Sequence, residues 1–301
     1  MRVVPFLLLL GCGVEPATGS DSHDQPGEVG VAGIQPPRTA TLAEVVAWID
    51  AETAVRAPDT QLAITIEDLQ TGEHVSLRGD TKHVSASSAK AWWVAAALDG
   101  VGIAPVAPYA PNIFTYSDNS ASGSVIDLIG PNAVNTWMWT VAGMNDSALT
   151  QWSYDKTRIA TNSPRAMGGD NYMTSDDAVR FLARVYRKEI IADERGDKLL
   201  AWMTLSPNSG LGGWIPSRLP TSVATTTMHK AGWLPPGCCS DDSYYNTSND
   251  IGIVETPLGR GYAIAILARR GSDYAAQQEL MELSSCLLYR AFVQDDQLAC
   301  E

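Results

Sequence analysis

Val84-Ser85-Ala86-Ser87-Ser88-Ala89-Lys90-Ala91-Trp92-Trp93-Val94-Ala95-Ala96-Ala97-Leu98 is the stretch that decides the reading. A serine-rich start runs into an uninterrupted apolar segment, which predicts a helix from about Ser87 to Leu98. Ser87 and Lys90, three apart, then emerge on one face within a turn of each other. A serine hydroxyl is a weak nucleophile until a base takes its proton. A lysine whose pKa is lowered at a partly desolvated helix start can serve as that base. The backbone N–H groups of the same helix end favour a developing oxyanion. The plain alternative is a capped helix with a solvent-facing lysine, and this spacing alone does not choose between the two.

Thirty residues after Ser87 stands Tyr116-Ser117-Asp118-Asn119, ahead of a helical stretch from Ser120 to Ile129. Ser117 and Asn119, two apart on a tight turn, can point the same way; the plain reading is a turn whose Asp118 caps the next helix. Near the C-terminus Lys230-Ala231-Gly232 ends a predicted strand beginning near Val223, where a glycine lets a substrate backbone approach closely.

Outward from these motifs, Leu42, Val45, Val46, Ile49 and Ala54 recur at helical spacing after Thr41, predicting a capped amphipathic helix to about Arg56. Leu62, Ile64 and Ile66 alternate, Gln70-Thr71-Gly72 turns, and Val75 and Leu77 resume the alternation, which predicts a hairpin. A helix is expected from Ser175 to Arg187. A second strand pair, Ile251 to Glu255 and Tyr262 to Arg269, is joined at Gly259-Arg260-Gly261, and a last helix runs from about Asp273 to Phe292. Strands at both chain ends with helices between them predict an α+β fold, an antiparallel sheet of about five strands bracketing a helical insert.

The order Ser-x-x-Lys, Ser-Asp-Asn, Lys-x-Gly resembles the active site shared by class A β-lactamases and penicillin-binding proteins. Asp68-Leu69-Gln70-Thr71-Gly72, Gly169-Asp170 before Thr174, the Asn249-Asp250 strand and the terminal helix extend the likeness over roughly residues 41 to 295. The resemblance implies a β-lactamase-like fold without cofactor or metal. It also implies that Ser87 is acylated with Lys90 as base, Ser117 relays a proton to the leaving nitrogen, and Lys230 sets the local field. Asn119 would hold the substrate's side-chain amide. Ala231, Gly232 and Trp233 would form the substrate-binding strand, with the N–H groups of Ser87 and Trp233 as oxyanion hole. Three departures stand out. Ala231 replaces the usual Thr or Ser of the third motif. The interval from Ser87 to Ser117 is short, so a helical lobe is trimmed. No Glu occurs between Glu73 and Glu189, although hydrolysing class A enzymes keep one in the loop that here runs about Gln151 to Gly168. Asp155 and Asp170 are the only carboxylates in or beside that loop, and Asp170 reads as a loop brace. Acylation is therefore provided for and fast deacylation is not.

The 301 residues and 45% apolar content accommodate one sizeable core. A net charge of −13 excludes a nucleic-acid binder, since no basic face could dominate that background. Residues 1 to 11 read as an export signal: Arg2, an apolar run from Val3 to Leu10, then Gly11. The run is short of the roughly 20 residues that span a bilayer. Leu9-Leu10-Gly11-Cys12 resembles a bacterial lipobox. Lipidation is expected at Cys12, followed by a flexible acidic tether to about residue 40 and a hydrolase domain over 41 to 301, held at the cell envelope. Cys238, Cys239, Cys286 and Cys300 suggest up to two disulfides in three open connectivities. Vicinal pairing would strain Cys238-Cys239, so pairing of these two with Cys286 and Cys300 is favoured. The scattered histidines suit no metal. The protein is expected to be monomeric, acting on a small-molecule or peptidoglycan-like substrate. The readings carried forward are a β-lactamase-like hydrolase, a D-Ala-D-Ala-type peptidase or esterase, and a non-catalytic envelope lipoprotein. The tryptophans at 92, 93, 137 and 139 read as core rather than as a sugar-stacking surface.

Overall fold

The structure, a computed structural model, describes residues 35–36, 39–151, 159–164, 170–235, 246–295 and 297–300. All of these fall within one unit, Gln35–Glu301. The signal segment, Cys12 and most of the tether lie outside the described residues, as do Asp155, Cys238 and Cys239.

Helix α1 (Leu42–Arg56) begins where Thr41 and Glu44 cap each other's backbone, the reciprocal pair that satisfies two otherwise orphaned N–H groups. The hairpin β1 (Gln61–Asp68) and β2 (His74–Leu77) turns at Gly72, whose φ of 75° suits glycine. After a short β3 (His83–Val84) and a 3-10 turn at Ala86–Ala89 comes α2 (Lys90–Val101), buried from Lys90 to Leu98. The helical region continues through α3 (Ile103–Val106), α4 (Ala110–Tyr116), α5 (Asn119–Ile129) and α6 (Pro131–Trp137). It closes with β4 (Tyr172–Met173), which pairs with β3, then α7 (Ser175–Tyr186), α8 (Glu194–Met203) and the short α9 (Thr221–Ala224). The chain returns to the sheet as β5 (Met228–Trp233), β6 (Ser248–Glu255) and β7 (Gly261–Arg269), and ends in α10 (Tyr274–Val293).

The five-stranded sheet has the order β2-β1-β7-β6-β5, antiparallel throughout. Strand alternation gives it two buried faces. Ala63, Ala265, Leu267, Ile251 and Met228 face the helical region, where Trp92, Phe181 and Met173 fill the interior. Leu62, Ile64, Ile66, Ile264, Ile266 and Ala231 face α1 and α10. Trp92, Trp93 and Trp137 are core, Trp92 meeting Phe181 edge to face at 6.3 Å.

Two expectations are corrected. The strand expected from Val223 begins at Met228, because the chain after Pro220 turns helically. There Thr225 Oγ1 bonds the Thr221 carbonyl at 3.0 Å and Thr227 Oγ1 the Val223 carbonyl at 3.0 Å, bonds that close a turn and compete with a ladder. The pairing of Cys286 and Cys300 with Cys238 and Cys239 is excluded, since Cys286 and Cys300 form a disulfide with each other. This bond fastens the last residues to α10, where Gln35 also docks: its Nε2 donates to the Cys300 carbonyl at 2.8 Å, and Arg290 donates to its Oε1 at 3.1 Å. Cys300→Ser opens a loop with a sequence separation of 14. It is expected to lower stability by about 3 kcal/mol, read as a lower denaturation midpoint under non-reducing conditions.

Candidate active site

Ser87 sits within the 3-10 turn, and the helix expected from about Ser87 begins instead at Lys90. The turn is forced by its flanks. Ala86 takes a left-handed φ of 46°, and Ser88 Oγ donates back to the Ser85 carbonyl at 2.5 Å. A non-glycine residue with positive φ beside a half-buried serine is the kind of local strain that clusters at functional sites. Ser85 N–H is held in turn by the Asn171 carbonyl at 2.9 Å, and Asn249 Nδ2 donates to the Val84 carbonyl at 2.7 Å. The segment entering the turn is thus fastened from two sides.

Lys90 opens α2 and is buried to 1% exposure. Its Nζ donates to Ser117 O at 2.5 Å, Ser117 Oγ at 3.1 Å and Asn119 Oδ1 at 2.6 Å. Ser117 ends α4 in the left-handed region (φ 54°, ψ 37°), and this bend aims both its oxygens at the lysine. Asp118 then caps α5, its carboxylate accepting from Ala121 N–H at 3.0 Å, so the turn serves both the capping and the site readings. Lys230 Nζ reaches the same hydroxyl from β5, 3.2 Å from Ser117 Oγ, and donates to the Ala231 carbonyl at 2.7 Å. Burial, then the neighbouring Lys230, bring the Lys90 pKa down to about 7, against a smaller upward pull from Asp118. Burial brings Lys230 to about 8, with Asp250 pulling upward. The site therefore holds two amines on a single serine hydroxyl, Lys90 titrating near physiological pH and Lys230 more often charged.

Gly232 brings β5 against the serine turn. A Cβ there would lie 2.3 Å from Ser88 N and 2.5 Å from Ser87 N. The close approach that demands glycine is thus made by the protein's own backbone. In the β5–β6 ladder Leu234 N–H bonds the Thr247 carbonyl, so by alternation the Trp233 N–H points away from β6, off the edge of the sheet. Ala231 buries its methyl among the apolar residues facing α1 and α10. Ser87, Lys90, Ser117, Asn119, Lys230 and Gly232 are thus brought to one place.

A family profile described as Beta-lactamase enzyme family matches residues 105–292. The chain belongs to the beta-lactamase enzyme family. The matched residues include Ser117, Asn119 and the Lys230 strand and begin after Ser87 and Lys90. No curated protein sequence matches. Among solved structures the chain is similar to PBP-A, at 21% identity and a TM-score of 0.68, covering 86% of this chain and 99% of that one. A point mutant of PBP-A, solved as an acyl-enzyme complex with penicillin G, is 20% identical with a TM-score of 0.67 over 86% and 100%. A β-lactamase from Streptosporangium roseum is 18% identical, with a TM-score of 0.69 over 84% and 100% of the two chains. At these identities the likeness concerns the fold.

Within this beta-lactamase family site, sequence reasoning overlooked Asn171 and the role of Asn249. Asn171 Oδ1 accepts Thr150 N–H at 2.8 Å and Gln151 N–H at 3.2 Å, joining the start of the loop to the residue before the serine turn. A lone Asn gives no such signal in sequence. Gly232→Ala is expected to abolish any reaction at Ser87 and to cost several kcal/mol, since backbone must move. Thermal unfolding of the variant beside the parent measures the second effect, and unchanged unfolding would contradict the close approach.

Proposed function

We propose that this protein is an exported serine hydrolase that acts on β-lactams or related amides and esters through an acyl-serine at Ser87. The observation that carries this reading is the buried Lys90 amine, brought near neutrality and hydrogen-bonded to Ser117 Oγ. Neutral Lys90 takes the Ser87 Oγ proton as Oγ bonds to the substrate carbonyl carbon. The N–H groups of Ser87 and Trp233 receive the oxyanion. When the carbon–nitrogen bond breaks, Ser117 passes a proton to the leaving nitrogen, and protonated Lys230 supplies the positive field and attracts a substrate carboxylate. Asn119 holds the substrate's side-chain amide. Water then cleaves the ester to restore Ser87.

That last step is slow in this reading, because no Glu stands between Glu73 and Glu189 to activate the water. The same absence favours, as a second reading, a peptidase of the D-Ala-D-Ala type or an esterase. The penicillin G acyl-enzyme of a PBP-A mutant supports acylation on this fold. Attachment to the cell envelope through a lipid on Cys12 completes the proposal. Cys12→Ser should shift the protein to the soluble fraction and remove the lipid mass, and an unchanged mass would refute the anchor.

Incubation of residues 34–301 with a penicillin, followed by intact mass, tests the chemistry. A persistent adduct is expected on the parent and none on Ser87→Ala; equal labelling of both would end the proposal. The acylation rate should rise with pH through about 7 as Lys90 loses its proton and fall above about 8 as Lys230 loses its own. A rate flat across that window would remove Lys90 as base.

A further inference from the structure

Directly behind the site, on the opposite face of the sheet, lies a second pair of titratable groups that the chemistry above leaves unused. His229 and Asp250 are each fully buried, with Nδ1 3.0 Å from Asp250 Oδ1. The other carboxylate oxygen, Oδ2, accepts the N–H groups of Trp214 and Ile215, each at 2.9 Å. Two backbone N–H groups on Oδ2 favour Asp250 as a carboxylate, and opposite a carboxylate the 3.0 Å contact is made by a His229 ring carrying its proton on Nδ1. Among the described residues buried His229 Nε2 has no hydrogen-bond partner, so a second ring proton would find no acceptor there. The pair as it stands therefore carries one negative charge.

That charge flanks the lysine. His229 precedes Lys230 on β5, and Asp250 stands opposite Ala231 on β6. Resting on the function proposed above, we infer that Asp250 is the counter-charge that keeps Lys230 an ammonium, and that His229 holds Asp250 in place, which makes both of them positioning residues. The need for such a charge follows from the site: Lys230 is buried and shares Ser117 Oγ with a second buried amine. Without a fixed anion, desolvation would drive Lys230 to the neutral form. Asp250 does pull Lys230 upward against its burial. The segment Ser206–Pro216, which supplies the Trp214 and Ile215 N–H groups, contains no charged side chain. On α10, which covers this face, Glu279 and Glu282 pair with Arg218 and Arg290 donates to Gln35 and Pro36; on α8, on the serine side of β5, Glu194, Asp197 and Lys198 are exposed and Arg195 pairs with Asp193 and Asp99. On the serine side stand Lys90 and Asp118.

Asp250→Asn tests this with little change of shape. The amide oxygen can accept from Trp214 and Ile215 while its N–H donates to His229 Nδ1, at the cost of a ring proton on the unpartnered Nε2, so folding is checked by thermal unfolding first. Titration of Lys230 by NMR of 13Cε-labelled lysine should show its midpoint fall by about one pH unit or more relative to the parent. The high-pH limb of penicillin acylation should move down with it. His229→Asn, whose amide N–H can replace the Nδ1–H, should keep the midpoint within about 0.3 units of the parent. An unmoved midpoint in Asp250→Asn, with a uniformly lower rate, would reduce the pair to a structural clamp and overturn the inference. Should Asp250→Asn not fold, 15N NMR of His229 in the parent decides: the neutral Nδ1–H ring between about pH 6 and 8 supports the counter-charge, and an imidazolium, which would cancel it, overturns it. If no penicillin labels Ser87, the proposed function fails, while the lysine titration still decides this point.

Discussion

Two buried amines on one hydroxyl form the constraint from which the rest of the site follows. Lys90 and Lys230 both place Nζ within hydrogen-bond distance of Ser117 Oγ. Two ammonium groups that close, away from water, repel strongly. The arrangement is stable when their proton affinities separate, and the separation assigns the roles: the amine nearer neutrality can accept a proton, the other can supply positive charge. Ser117, between them, is the one group able to pass a proton either way. Its left-handed backbone at the junction of α4 and α5 is therefore a condition of the chemistry, because any ordinary helical continuation would turn the hydroxyl elsewhere.

Holding two amines and a serine in register requires three parts of the chain to meet, and each meeting has a distinct physical cause. The amine of Lys90 is set by α2, a helix with almost no exposed face, whose position is fixed by packing against the helical region. Lys230 is set by the β5–β6 ladder, and β5 reaches the serine turn only because residue 232 lacks a Cβ. The serine turn is held by side-chain amides, Asn249 from the sheet and Asn171 through its backbone from the loop side. Packing alone would permit the turn to slide, whereas hydrogen bonds from buried amides with few alternatives do not.

Much of the fold was legible because alternation and helical periodicity are local. The Leu62–Ile66 and Tyr262–Arg269 strands, the Thr41 cap and the terminal helix all lie within a residue or two of their expected places. What the sequence hid depended on distant partners. The Thr225–Thr227 run has strand propensity, yet its hydroxyls find helical carbonyls. Cys286 meets Cys300 across a short C-terminal loop that no spacing rule distinguishes from other pairings. His229 and Asp250 are 21 residues apart and become a pair only through β5–β6 register. For the site, the three motifs and Gly232 were legible as residue types in order; that Lys90 addresses Ser117 and Asn119 rather than solvent emerges only from burial.

The anatomy also separates the Ser87 site from the loop that follows Thr150. Ser87, Lys90, Ser117 and Lys230 sit on elements whose displacement would open one or other sheet face, where each fully buried aliphatic side chain is worth roughly 1.5–3 kcal/mol. The loop that carries the hydrolytic Glu in the class A relatives is attached differently. At its base Asn135 exchanges two hydrogen bonds with Leu149, at 2.7 and 2.8 Å, and Asn132 Oδ1 accepts from Thr161 N–H at 2.8 Å. These amide fastenings hold Leu149, ahead of the loop, and Thr161, within it. A chain can therefore lose a loop carboxylate with little cost to the core, whereas losing Lys90 or Gly232 would disturb it. Ser87, Lys90, Ser117 and Lys230 beside a loop without Glu is the pattern that this division of the structure permits.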